Sequence, residues 1–133
     1  MRVLVVHENG DLCGIWARFL KRSGFSVKVA TSPADAEYQL ASADFDVLVV
    51  EPELEGHGGL SVADMATFRN PEIRILAVTA SSFFSEGTIF DLIPNARGVL
   101  RTPVRLEDLG AYIDHFSSWP QREAPARPTR RKA

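Results

Sequence analysis

The chain has 133 residues, 45% of them hydrophobic and 24% charged, which suits one folded domain with a core of its own. A single cysteine, Cys13, excludes an internal disulfide and any multi-cysteine metal site. The net charge of −2 divides unevenly, with 10 Lys/Arg against 16 Asp/Glu (−6) over residues 1–116 and 5 against 1 (+4) over 117–133.

That balance makes nucleic acid an unsuitable partner for the body and leaves the question open for the basic tail. The opening apolar run at 2–6 is too short for a signal peptide or a membrane span, so a cytoplasmic protein without membrane contact is expected. Cys13 reads as a small filler of a helix.

The run 2–6 is a first buried strand ending at His7 and Glu8. Asn9, Gly10 and Asp11 offer cap chemistry, and Leu12, Ile15, Trp16, Phe19 and Leu20 then recur at helical spacing until Ser23 and Gly24 close the helix. Residues 25–30 alternate as a second strand. Ser32 is a natural N-cap, with Pro33 at the first helical position and Asp35 three residues after the cap.

Val47 to Val50 is a continuous apolar run, as suits a strand buried on both faces, and it delivers Glu51 at its end. Pro52 stops that strand, and Gly56, Gly58 and Gly59 loosen the loop before a third helix at about 60–68. A fourth strand at 73–78 ends at Thr79. A weaker fourth helix at about 84–93 follows, then a short strand at 98–101 closed by Thr102 and Pro103. Leu106, Leu109, Ile113 and Phe116 mark the last helix.

Five strand–helix units predict an α/β, flavodoxin-like doubly wound sheet of five parallel strands with helices on both faces. The domain is expected over 1–117. The Pro/Arg-rich stretch 118–133, with Pro120, Pro125 and Pro128 and no periodicity, is expected to be disordered.

In such a sheet the strand ends meet in one crevice, which gathers His7, Glu8, Glu51, Thr79 and Thr102. Two carboxylates, an imidazole and two hydroxyls are the makings of a phosphoryl or metal site. Singly, each has an ordinary explanation as a cap or loop residue; jointly, their placement outweighs it.

The order of elements and several local motifs resemble the receiver domain of two-component response regulators, over residues 2–116. The first strand with His7-Glu8, the loop glycines Gly56 and Gly59, Thr79-Ala80 and Thr102-Pro103 carry the resemblance. It implies a CheY-like fold, no enzyme activity, and a cis bond before Pro103. It also implies a site of two acids, a phosphorylatable aspartate, a hydroxyl and a lysine. Here His7 stands for the first acid, Glu8 for the second, Glu51 for the aspartate and Thr102 for the lysine, while Thr79 keeps the hydroxyl. Val99 takes the place of the usual switch aromatic, and Glu55 that of a common loop proline.

Phosphoryl transfer to a carboxylate rests on positioning and charge neutralisation. Glu51 is one methylene longer than aspartate, and Thr102 supplies no cation. No cofactor is expected beyond weak Mg²⁺ at Glu8 and Glu51, whose oxygens fall short of the octahedral set that Mg²⁺ demands. The longer Glu51 is expected to accept a hydrogen bond from Thr79, and a protonated His7 beside the acids to restore part of the lost charge.

The expectation is an atypical stand-alone receiver acting through a protein partner, independently of aspartyl phosphorylation. The residues after Phe116 are too few for an output domain, and a homodimer through the last helix is compatible. Phe83, Phe84, Val99 and Arg101 are the candidate partner contacts. Two alternatives remain: a receiver with residual Mg²⁺ binding and weak phosphoryl acceptance, or a small flavodoxin-like ligand-binding domain. The second is disfavoured because no Gly-rich phosphate loop follows the first strand. His57 among the loop glycines is read as an exposed histidine, not a metal ligand.

Overall fold

The structure, a computed structural model, describes residues 1–80 and 86–118. Five parallel strands, β1 (Arg2–Val6), β2 (Ser26–Ala30), β3 (Val47–Val50), β4 (Arg74–Thr79) and β5 (Ala96–Arg101), form one sheet in the order β2-β1-β3-β4-β5. The helices that connect and follow them are α1 (Gly10–Arg22), α2 (Pro33–Ser42), α3 (Gly58–Arg69), α4 (Glu86–Leu92) and α5 (Leu106–Ser118). This is the expected doubly wound arrangement.

Strand periodicity of two sorts the apolar residues into two cores. Leu4, Val6, Leu48, Val50, Ile75 and Ala77 face α2, α3 and α4 through Ala36, Leu40, Val62, Ala66 and Ile89. Val3, Val5, Val47, Val49, Leu76 and Val78 face α1 and α5 through Trp16, Leu20, Leu109, Ile113 and Phe116. Burying one such Leu or Ile side chain contributes about 1.5–3 kcal/mol, and β1, β3 and β4 bury both of their faces almost completely. The central strands are therefore the rigid floor of anything built at their ends.

The caps follow the local chemistry. The Asn9 side chain accepts from the N–H groups of Asp11 and Leu12 (3.0 and 3.1 Å), opening α1 one residue before Gly10. Gly24, at φ 102°, ends it in the left-handed region. Ser32 accepts from Asp35 N–H (3.2 Å) ahead of Pro33. On the edge strand β2, the Gln39 amide donates to the Val29 carbonyl (2.9 Å), closing one group that a second sheet could pair with.

Several expectations shift. Helix α3 starts at Gly58, earlier than the predicted 60, because the turn after Glu51 runs directly into it: Gly58 N–H already bonds the Leu54 carbonyl at 2.8 Å. Strand β5 begins at Ala96, two residues early. Ile15, counted in the helical stripe, is 42% exposed, since the stripe of α1 centres on Cys13, Trp16, Ala17 and Leu20. Val99 is buried in the α2–α3–α4 core, so it is no surface contact. The aromatic partner candidates, Phe83 and Phe84, and the tail from residue 119 lie outside the described residues; Arg101 is exposed.

Candidate functional site

The site lies at the carboxyl edge of the sheet. Val6 of β1 and Val50 of β3 are register partners, so the residues that follow them, His7 and Glu51, emerge side by side. Their main chains hold that position: Glu51 N–H donates to the Val6 carbonyl (3.0 Å) and His7 N–H to Ala30 (3.2 Å). Both side chains are buried, His7 to 7% and Glu51 to 5% exposure.

Glu51 is engaged from two sides. One carboxylate oxygen, Oε1, accepts from the Glu8 main-chain N–H at 3.0 Å, and the other, Oε2, lies 3.7 Å from His7 Nε2. Burial raises the Glu51 carboxyl above the ordinary carboxylate value; the Glu8 N–H and His7 oppose that rise, and the charges of Glu8 and Glu53 add to it. His7 is itself fixed. Its Nδ1 accepts from Asn9 N–H (3.0 Å), which leaves Nε2 as the ring donor facing the carboxylate, and the ring packs edge-on against Trp16 with centroids 5.3 Å apart. His7 thus stands beside Glu51 with Nε2 facing its carboxylate. Cys13 sits beneath the pair, where its thiol donates to the His7 carbonyl (3.4 Å) and burial pushes its pKa up to about 11.

The hydroxyl of Thr79 does not go to Glu51. It donates to Glu53 Oε2 at 2.6 Å, the short distance typical of a hydroxyl on a carboxylate. A threonine has one hydroxyl proton, so the expected Glu51–Thr79 bond is replaced by this one. The cause is the turn after Glu51: Leu54 N–H bonds the Glu51 carbonyl (3.2 Å) and Leu54 is fully buried, which leaves Glu53 on the side of Thr79. Glu55 and Gly56, both at positive φ (46° and 84°), then turn the chain toward α3. Gly59 lies against the Glu51 carbonyl so closely that any Cβ there would collide with it.

The other predicted residues are placed less tightly. Glu8 contributes its N–H while its side chain is exposed, His57 is exposed, and Thr102 is half-buried. Thr102 N–H donates to the Thr79 carbonyl (3.1 Å), and the bond to Pro103 is cis, as the resemblance implied. Glu53 is the site residue that sequence reasoning missed. Its second oxygen, Oε1, is buried and has no hydrogen-bond partner. The one available signal was Leu54, an apolar residue between two glutamates, whose burial forces its neighbours to either side.

Residues 3–114 match the family model of the response regulator receiver domain. The chain belongs to that family. It is a receiver module of two-component signalling, a family of signalling modules. Solved structures agree at the level of the fold. A CheY-like receiver from Methanospirillum hungatei superposes with a TM-score of 0.76 at 20% identity, over 86% of this chain and 90% of that one. The response regulator TrrA of Thermotoga maritima, solved with Mg²⁺ and a beryllium fluoride group, gives 0.73 at 19% identity over 86% and 97%. NtrX of Brucella abortus, solved with ADP, gives 0.74 at 16% identity, over 86% of this chain but only 25% of that one. No curated protein matches.

The residues do not fit a resident Mg²⁺. Octahedral coordination wants several free oxygens, and both oxygens of Glu51 already face donors, while the Glu8 side chain turns to solvent. Among the described residues, no three His, Cys, Asp or Glu side chains gather to hold a metal ion. Nor is any described helix long and apolar enough to cross a membrane.

Proposed function

We propose that this receiver works by protein–protein contact and independently of aspartyl phosphorylation, with Glu51 in the phosphoacceptor's place and Thr102 in the lysine's. The observation that carries the reading is the internal closure of the site. Glu51 takes the Glu8 N–H and faces His7, and Thr79 spends its proton on Glu53. A phosphoryl group needs an in-line carboxylate and cations for its three oxygens. Here the carboxylate is longer and tethered, and the neighbouring side chains Glu8, Glu53 and Glu55 add negative charge. The Thr79–Glu53 bond gives the switch hydroxyl a carboxylate partner without any chemistry on the chain, and so supports a fixed state that a partner reads directly.

The partner is expected to be a protein, with a second copy of the chain as one case; no cofactor takes part. The unpartnered Glu53 oxygen supports the competing reading, a receiver that keeps a weak cation site.

An amide NMR titration with Mg²⁺ and then beryllofluoride separates the two. The proposal expects a spectrum unmoved at Glu8, Glu51, Glu53 and Thr79 by either addition. Saturable shifts centred on those residues and spreading into α5 would overturn it in favour of a working phosphoryl switch.

A further inference from the structure

The opposite, amino edge of the sheet carries a second polar feature. Strands β1 and β2 begin there and α1 ends there. Between them lies a cleft of about 510 Å³ lined by Arg2, Lys21, Phe25, Ser26, Lys28 and Phe45, with Val27 beneath. Small-ligand sites commonly span roughly 300–1,000 Å³. Every ionisable side chain on this lining is a cation, although residues 1–116 together carry −6.

Among the described residues, none of the three cations is spent on an ion pair. Asp46 accepts from the main-chain N–H of Arg2 (2.9 Å) rather than from its guanidinium. That guanidinium instead lies over the ring of Phe45, 5.5 Å from its centroid, on a side chain only 3% exposed. Two of the cations have local reasons to exist: Lys21 complements the carboxyl end of α1, and Lys28 charges the edge strand β2. Neither reason brings Arg2 to the same cleft, and three like charges around one concavity repel each other until an anion enters.

We propose that this cleft binds a small phosphate-bearing anion of the nucleotide type. The planar guanidinium of Arg2 suits two phosphate oxygens at once, and Lys21 and Lys28 act as point charges on the remainder. The half-buried Phe25 forms an apolar wall, which favours a phosphate attached to a ring over the bare ion. The inference is independent of the state of Glu51.

The test is an amide NMR titration of the full chain with ATP, pyrophosphate and inorganic phosphate, without divalent metal, at about 50 and about 200 mM salt. Saturable shifts at Arg2, Lys21, Ser26 and Lys28 are expected, tightest for ATP and weakest for phosphate. Arg2→Gln with Lys28→Gln should weaken ATP binding about tenfold or more, the size expected when charged hydrogen bonds are lost. Arg18→Gln removes an exposed α1 charge outside the cleft and should leave it unchanged. Shifts confined to the tail arginines, equal affinity for all three anions, or an equal loss in Arg18→Gln would each overturn the proposal. Dispersed spectra of the variants show that they fold.

Discussion

The two edges of one sheet treat their charges in opposite ways. At the carboxyl edge, acids crowd the strand ends, yet donors from within already meet Glu51, through the Glu8 N–H and His7, and one oxygen of the part-buried Glu53, through Thr79. At the amino edge, Arg2, Lys21 and Lys28 line an open cleft, and none forms an ion pair among the described residues. The sign and number of charges at an edge therefore say little about where a ligand enters. What matters is whether the protein has already supplied the partner, because a buried polar group that is satisfied internally has little left to gain from a ligand, whereas an unpaired one has much.

The comparison breaks most readily at Gly59, where the carboxyl edge is closed by backbone. Gly59→Ala places a methyl group against the Glu51 carbonyl, and an overpacked contact of this kind costs about 1–3 kcal/mol. Urea denaturation should show that loss together with displaced amide signals at His7, Glu8 and Glu51. Gly14→Ala, in the open middle of α1 with nothing near the new methyl, should instead stabilise by about 0.5–1 kcal/mol. Equal effects at the two glycines would mean that the tight approach to Glu51 is not there.

The next effect concerns Glu53. Thr79→Val removes the donor to a part-buried carboxylate and should cost about 1–3 kcal/mol. Combining it with Glu53→Leu removes the stranded acceptor as well, so the double variant should be more stable than the sum of the single losses by about 1 kcal/mol. Simple additivity would show that the hydroxyl and carboxylate are not coupled, and the internal closure of the switch residue would fall with it.

That pair also marks where sequence reasoning stopped. The sheet was legible because each central strand is an unbroken apolar run, and the caps because Asn9, Ser32-Pro33 and Gly24 have few other uses. The neighbourhood of His7 and Glu51 was legible from topology, since parallel strands bring their ends together. The partner of Thr79 was not. Residues 51–55 alternate Glu, Pro, Glu, Leu, Glu, and which glutamate reaches the hydroxyl depends on a turn set by Leu54 entering the core and by a positive φ at Glu55. Such a turn has no period to read. The cleft at the amino edge was invisible for a similar reason: Arg2, Lys21, Lys28 and Phe45 are far apart in sequence and meet only through the start of β1, the end of α1 and the strand register.

A smaller effect separates the edges by pH. Burial holds the Glu51 carboxyl above its ordinary value of 4.5, so between that value and the folded one the native state binds more protons than the unfolded chain. Stability tied to Glu51 is then fully present below the unfolded value and is lost as pH rises through the folded one. The stability of Glu51→Gln relative to the parent should accordingly improve from about pH 4 toward about pH 8, whereas Ser26→Ala, at the amino edge, should show a flat difference there because neither side chain carries a titrating group. A flat Glu51→Gln difference would mean that the carboxylate is as well solvated in the fold as outside it.

The smallest effect reads the same closure from beneath. Cys13 is fully buried, its thiol bonded to the His7 carbonyl and its pKa pushed to about 11, so at pH 8 little thiolate exists and no path reaches it from solvent. Alkylation of the native chain should therefore follow opening of the fold rather than the reagent's own rate, and the logarithm of the rate should rise in Gly59→Ala in proportion to the stability lost. Labelling of the native parent as fast as that of a urea-unfolded sample would place the thiol in contact with water. The floor under His7 and Glu51 would then be open, and the contrast between a sealed carboxyl edge and an open amino edge would no longer hold.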